Sequence, residues 1–365
     1  MSIKGGPKIE TDGLVLYYDV DNIDSYPGEP TTNIATSQTM FSHNGHGVMT
    51  FSDAPERGTD WKKVNITHRG NDFRITQMPY NTQPDGTTHA FSIEIDWGTT
   101  SGYYVQGDGS TGFSITGNTS DWPHGTYTNS SGGNRVEALF LYNQTYDVDV
   151  DDTIYYRYYQ VEVKSHSTPY TSGTRSTTNG LKDLSGQGNH GDLANATYDS
   201  NALLDLDGSA GYFVPSSTIN LPANANWTVG MWVKTGESCY LLSNLSGGPV
   251  ANSLRISGGK INYYHYNSGW LSESGTSTVN DNVWHYLVWV NHIGSTIDLY
   301  VDGIGENMGD DSAGPITGPL DVFGKNWSTD YMDGKINVIQ YWNSTDLTST
   351  QVLNNYNAMK SRFGH

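Results

Sequence analysis

Cysteine is almost missing from this chain: Cys239 is the single one among 365 residues. With one thiol no intrachain disulfide can form, and no cysteine-based metal cluster can be assembled. In Ser238-Cys239-Tyr240-Leu241-Leu242 it reads as a packed strand residue. Positive charge is scarce too. Nineteen Lys and Arg stand against 38 Asp and Glu, a formal net charge of −19. Such a surface repels nucleic acid and anionic membrane, so neither is expected as a partner. No apolar run reaches the roughly eighteen residues that span a bilayer. The opening Met1-Ser2-Ile3-Lys4-Gly5-Gly6-Pro7-Lys8 carries no hydrophobic signal core, which points to synthesis in a cytoplasm. The motifs of several catalytic classes are missing as well: there is no P-loop, no G-x-S-x-G elbow and no H-E-x-x-H frame.

What is abundant is aromatic and turn-forming. The chain holds 25 Tyr, 10 Trp and 42 Gly, with much Thr, Ser and Asn, the composition of an all-β protein with many turns. Val283 to Asn291 and Thr296 to Asp302 both alternate bulky apolar with smaller or polar residues, and Gly294-Ser295 lies between them. Period two with a Gly-containing tip predicts a hairpin with one face in a core. Asp302-Gly303 is a further turn-prone pair. Gly13 to Asp19 reads as another buried strand. Ala90–Trp97, Val136–Tyr142 and Thr153–Val163 also alternate, separated by Gly/Ser/Asn stretches. Near the end, Thr348 can cap a helix whose Val352, Leu353, Tyr356, Met359 and Phe363 form one apolar stripe. Lys360 and Arg362 sit in its last turn and Gly364 stops it.

Several phrases carry a family resemblance. Leu206-Asp207-Gly208-Ser209 leads to an aromatic, Trp232-Val233-Lys234 ends a strand, and Trp284-His285 is followed by Tyr300-Val301-Asp302-Gly303. Asp333-Gly334-Lys335-Ile336 then precedes the C-terminal helix. In this order they resemble laminin-G-like domains, the concanavalin A-like jelly rolls. Gly13-Leu14-Val15-Leu16-Tyr17-Tyr18-Asp19 with Ser25-Tyr26-Pro27-Gly28 is similar to the opening of such modules in structural proteins of tailed bacteriophages. There it runs almost at once into the phrase seen here as Asp183-Leu184-Ser185-Gly186-Gln187-Gly188-Asn189-His190-Gly191. The displacement of that phrase implies an insertion at a surface loop. The insert's exit, Gln160-Val161-Glu162 with Thr168-Pro169-Tyr170 and Gly173-Thr174-Arg175, resembles the tail of carbohydrate-binding-module-like jelly rolls in phage fibres. The expected fold is therefore two antiparallel β-sandwiches, one inserted into the other, with one short C-terminal helix. Residues 1–12 form an arm, 13–30 with 178–365 the laminin-G-like sandwich, and 31–177 the inserted one.

Glucanases share the concanavalin A-like fold, and Glu94-Ile95-Asp96 begins their E-x-D-x-x-E strand. Thr99 stands where the acid/base carboxylate would be, so no enzyme is expected. His43 and His46 lack any zinc frame, and His285 reads as a packed strand residue. Calcium is the better metal candidate: the resemblance implies a rim site, for which Asp310 and Asp311 form an acidic pair in a polar loop. Asp207, Asp302 and Asp333 lie next to glycines that equally mark turns. No other cofactor is expected. Aromatics near Gly/Ser/Thr-rich stretches are candidates for stacking on sugars. In the insert these are Trp97, Tyr103, Tyr104, Trp122 and Tyr127; in the C-terminal domain they are Tyr263, Tyr264, Tyr266 and Trp270. The resemblance implies a non-enzymatic virion protein made in a bacterial cytoplasm, a capsid decoration, head fibre or tail-associated protein with other virion proteins as partners. The alternative is an adhesin whose insert binds a host glycan. A homo-oligomer stays open.

Overall fold

Val, Ile, Trp and Tyr crowd a helix but fit a pleated surface, and the stretches richest in them are strands in the computed structural model of the chain. The structure describes residues 8–35, 37–38, 48–68, 74–79, 86–98, 103–107, 114–115, 124–128, 138–143, 153–194, 197–198, 204–216, 219–221, 225–244, 253–266, 270–293, 296–308, 318–326 and 328–365. The chain divides into two compact units, Met1–Glu29 with Ser176–His365, and Pro30–Arg175. The architecture is all-β, with antiparallel sheets and one C-terminal α-helix.

The first unit is a sandwich of two large sheets. The eight-stranded one runs Thr197–Tyr198, Leu204–Asp207, Asp333–Asn343, Trp227–Thr235, Trp284–His292, Thr296–Val301, Ile304–Asn307, with Leu14–Asp19 also paired to Asp333–Asn343. The seven-stranded one runs Gly191–Ala194, Tyr212–Pro215, Val322–Phe323, Tyr240–Ser243, Ser253–Ser257, Lys260–Tyr266, Trp270–Ser274. The predicted hairpin forms with Leu287 opposite Val301 and His292 opposite Thr296. Asp302 (φ 52°) and Gly303 (φ 82°) then turn the chain into Ile304–Asn307. Two consecutive left-handed residues make a tight hairpin turn whose twist matches the strands.

Alternation sorts the side chains into two layers. Val229, Met231, Leu287, Trp289, Leu299 and Ile339 pack between the sheets. Trp232, Tyr286, Val288, Val290, Tyr300 and Trp342 point the other way, into a second apolar layer with Val352, Met359 and Phe363. Trp284–His292 is thus buried on both faces rather than one, because the helix Ser349–Met359 and the residues after it cover the outer face of the eight-stranded sheet. The helix stripe also differs from the one expected. Leu353 is 42% exposed, while Asn355 is buried and accepts a hydrogen bond from the Glu10 backbone N–H at 2.7 Å. Thr348 and Gln351 form a reciprocal capping box. Arg362 lies in a 3-10 turn beyond the helix and grips Asp19 with two hydrogen bonds, 2.8 and 2.6 Å, instead of serving the helix terminus.

The phrase around Asp183 is a structural lock. Its carboxylate accepts from the backbone N–H groups of Tyr17, Ser185 and Asn189. Asn189 in turn donates to the Val15 carbonyl, and Tyr18 Oη donates to the Asn189 carbonyl at 2.6 Å. Cys239 is buried as expected, and burial first, then Glu237, pushes its thiol up to about 12.

The second unit contains a five-stranded sheet, Val48–Asp53, Lys62–His68, Thr153–Glu162, Thr88–Asp96, His124–Thr128, and a four-stranded one. Thr31–Thr32 pairs with Thr174–Arg175, so its two ends leave side by side. The exit motif is a buried polar network. Thr168 Oγ1 donates to Glu162 Oε2 at 2.6 Å, Gln160 Nε2 donates to Glu162 Oε1 at 2.7 Å, and Arg175 donates to Thr168 Oγ1 and the Pro169 carbonyl. Buried polar groups are tolerable when satisfied in this way.

Candidate functional site

On the seven-stranded sheet Leu241, Leu242, Leu254, Ile256, Ile261 and Tyr263 belong to the core between the sheets. The alternate residues therefore face outward. Tyr240 is paired with Arg255, Arg255 with Asn262, and Asn262 with Ser274, which sets these side chains in a row across four strands. The Arg255 guanidinium lies 3.7 Å from the centre of the Tyr264 ring and 5.7 Å from that of Tyr240. Its Nε donates to Asn262 Oδ1 at 2.7 Å, and Nη1 donates to Tyr240 Oη at 3.4 Å. Asn262 is only 1% exposed, and the two N–H groups of its amide are shared among Ser272 Oγ, the Glu273 carbonyl and Ser274 Oγ, at 2.7, 2.7 and 2.8 Å from the nitrogen. With three donor contacts fixing the nitrogen, the carbonyl oxygen can only point at Arg255. The guanidinium is thereby held over an aromatic face, and among the described residues no carboxylate forms an ion pair with it.

A second cation occupies the same face two strands along. Lys325 Nζ lies 4.8 Å from the ring centres of both Tyr212 and Tyr331. Phe213 beside Tyr212 points inward and stacks on Phe323 at 5.0 Å, which leaves Tyr212 on the outer side. The Lys325 residue is 9% exposed, and its backbone carbonyl accepts from Ser243 Oγ. Chemically, the face offers tyrosine rings for apolar C–H surfaces and two fixed cations.

The second unit carries an aromatic ladder of its own. Arg157 lies 4.6 Å from the Trp61 ring and 4.5 Å from that of Tyr158, which stacks on Tyr170 at 4.5 Å. Tyr158 takes a left-handed φ of 58° within the irregular register between Arg157 and Gln160. Such a conformation is uncommon for a tyrosine. Unlike Arg255, Arg157 is neutralised by two 2.8 Å hydrogen bonds to Glu94, which hold it charged. Asp96 is paired with Arg57. Both carboxylates that begin the glucanase-like pattern are thus engaged by arginines.

The predicted sugar residues divide. Trp97, expected as a sugar platform next to a Gly/Thr-rich stretch, is a buried residue at 9% exposure, which leaves little of its ring for a ligand. Tyr103, Tyr104 and Tyr127 lie in the strands Tyr103–Gly107 and His124–Thr128, with side chains outside the described residues, as is Trp122. Tyr264 joins the outward face, while Tyr263 is buried in the core. Asp310 and Asp311 lie outside the described residues, as do His43 and His46. Asp207 accepts from the Ser209 and Ala210 backbone in a turn. Hydrogen bonds from Ser209, with further backbone ones, lower its pKa to about 2. Asp302 is committed to His285. Among the described residues no group of three or more His, Cys, Asp or Glu side chains is placed to hold a metal, and no helix is long and apolar enough to cross a membrane. Arg255, Tyr212, Lys325 and Tyr331 escaped the sequence reading. The available signal was Ser253-Leu254-Arg255-Ile256-Ser257, where a cation alternates with apolar residues on one strand.

Residues 207–353 match the family model described as the concanavalin A-like lectin/glucanases superfamily, Laminin_G_3. Among solved structures the chain is similar to Domain 4 of an extracellular arabinanase from Geobacillus stearothermophilus, in complex with arabinotriose. The identity is 18%, with 50% of this chain and 96% of that one covered and a TM-score of 0.40. It is similar also to the botulinum neurotoxin serotype D binding domain, at 17% identity, 49% of each chain and a TM-score of 0.39. A third is the binding domain of Paraclostridial Mosquitocidal Protein 1, at 14% identity, 50% of each chain and a TM-score of 0.37. The chain spans about half the length of these two toxin domains. No curated protein matches the sequence.

Proposed function

We propose that this protein is a non-enzymatic component of a tailed-bacteriophage particle, a capsid decoration, head fibre or tail-associated protein, whose lectin-like sandwich recognises surface saccharides. The observation that carries the recognition half is the outward face of the seven-stranded sheet, where Tyr240, Tyr264, Tyr212 and Tyr331 frame two fixed cations. A lectin-type match over 207–353 supports it. The phage half is supported by the opening phrase and the Asp183 phrase. Far apart in sequence, they interlock in space as parts of one module. Binding without catalysis is supported by Glu94 and Asp96, each tied to an arginine instead of facing another carboxylate.

Two measurements test this reading. Mass spectrometry of purified particles should find the chain at a fixed stoichiometry, and its absence from particles refutes the virion role. A glycan array probed with the full chain should give saturable binding, and an array without any positive spot refutes the lectin role. A second reading is an adhesin whose inserted unit carries the sugar site, favoured by the Trp61–Arg157–Tyr158–Tyr170 ladder. Trp61→Ala would then abolish binding that Tyr240→Ala leaves intact.

A further inference from the structure

The geometry points to an acidic saccharide as the ligand of the seven-stranded face, with Arg255 binding its carboxylate or sulfate; this rests on the lectin-like reading above. The chain has 38 acidic residues for 19 basic ones, so a half-buried arginine with no carboxylate partner among the described residues is the unexpected case. Around Arg255 the described partners are an amide oxygen, a phenol and an aromatic face. Each of them orients the guanidinium and none neutralises it. Asn262 in particular is locked by its three donor contacts, so the fork direction is set before any ligand arrives. A planar guanidinium of fixed orientation matches the two oxygens of a carboxylate or sulfate. It costs little ordering entropy to use.

Lys325 extends the site. Its ammonium stands 4.8 Å from the rings of both Tyr212 and Tyr331, and the strand of Tyr212 is two places from that of Tyr240, about 10 Å at the usual strand spacing. That separation suits an oligosaccharide, with Tyr240 and Tyr212 meeting ring C–H faces and the cations meeting anionic substituents. The net charge of −19 sets a limit on the ligand. A long polyanion would be repelled over its whole length, whereas a saccharide with isolated acidic groups meets only the local cations within a Debye length of about 8 Å.

The test is calorimetric titration of the full chain with matched pairs. One pair is a neutral oligosaccharide bearing a single galacturonate residue and its methyl ester; the other is a monosulfated galactan oligosaccharide and its desulfated form. The acidic member of one pair should bind at least about tenfold more tightly than its neutral partner, as loss of a charge-assisted hydrogen bond requires. The pair that shows the difference identifies the anion. Arg255→Met should erase the difference, and Arg255→Lys should restore only part of it because the fork is lost. Near-UV circular dichroism checks that both variants are folded, and the wild-type comparison needs no variant. Equal affinity for acidic and neutral members, or an Arg255→Met protein that still discriminates, overturns the acidic preference while leaving a neutral-sugar lectin standing. Absence of binding to every saccharide removes both.

Discussion

His285 lies between two carboxylates, with Nδ1 2.8 Å from Asp302 and Nε2 3.2 Å from Asp281. At the other end of the same strand His292 is held in the same way, Nε2 2.9 Å from Asp298 and Nδ1 3.0 Å from Asp346. Burial opposes protonation of both rings, but the paired aspartates outweigh it and both pKa values are raised above the ordinary 6.5. A raised folded-state pKa means the folded chain holds the proton more tightly than the unfolded one. The stability this supplies is complete below about pH 6.5 and is lost as pH rises through the raised values. Chemical denaturation of the wild type should therefore show a lower midpoint at about pH 8 than at about pH 6. Asp302→Asn keeps a residue that tolerates the positive φ but removes one charge. It should destabilise by about 1–3 kcal/mol at the lower pH, less at the higher, and so flatten the slope. A slope unchanged by the substitution would show that the clamp is not the titrating device. Gly230 marks another residue-scale constraint. A Cβ there would lie 2.6 Å from Tyr286 Oη, which donates to Gln340 in the covered layer. Gly230→Ala should lower the thermal midpoint, an overpacking cost of about 1–3 kcal/mol.

At the scale of elements, the helix Ser349–Met359 and its tail act as the outer wall of the eight-stranded sheet. Trp232 is fully buried beneath them, with Phe363 stacked at 4.1 Å, Tyr356 at 5.7 Å and Tyr286 at 5.5 Å. An eleven-residue helix is marginal in water by itself; packing holds it. Thr348→Ala removes the cap alone and should cost about 1 kcal/mol. Phe363→Ala uncovers Trp232 and should cost about 3–5 kcal/mol. Denaturant curves with tryptophan fluorescence measure both, and an equal cost for the two variants would contradict this ordering. The box Thr348–Gln351 was legible in the sequence, since capping is local chemistry. Which helix face packs was less so: Leu353 is the stronger hydrophobe, yet Asn355 is buried because the chain at Glu10 needs its side-chain oxygen.

For the whole molecule, Met1–Glu29 and Ser176–His365, separated in sequence by all of Pro30–Arg175, build one sandwich. Lys182 N–H donates to the Ser25 carbonyl at 2.6 Å and Ser25 Oγ donates to the Lys182 carbonyl at 2.7 Å, so the chain leaves and returns at one place. Replacing residues 30–175 with a Gly-Ser linker of about eight residues should give a soluble protein with native near-UV dichroism and one cooperative transition. A chain lacking both would show that the first unit depends on the second.

The long alternating strands, the Asp302-Gly303 turn and the capped helix are legible in the sequence, because period-two alternation, left-handed φ and capping all act over a few neighbouring residues. Tertiary structure alone decided that Trp284–His292 is covered on both sides, that Trp97 is buried, and that Arg255 stands on Tyr264 with no ion pair to a carboxylate among the described residues. Each of these depends on which distant segment lies against a given face, and a one-dimensional pattern records the face without recording its neighbour.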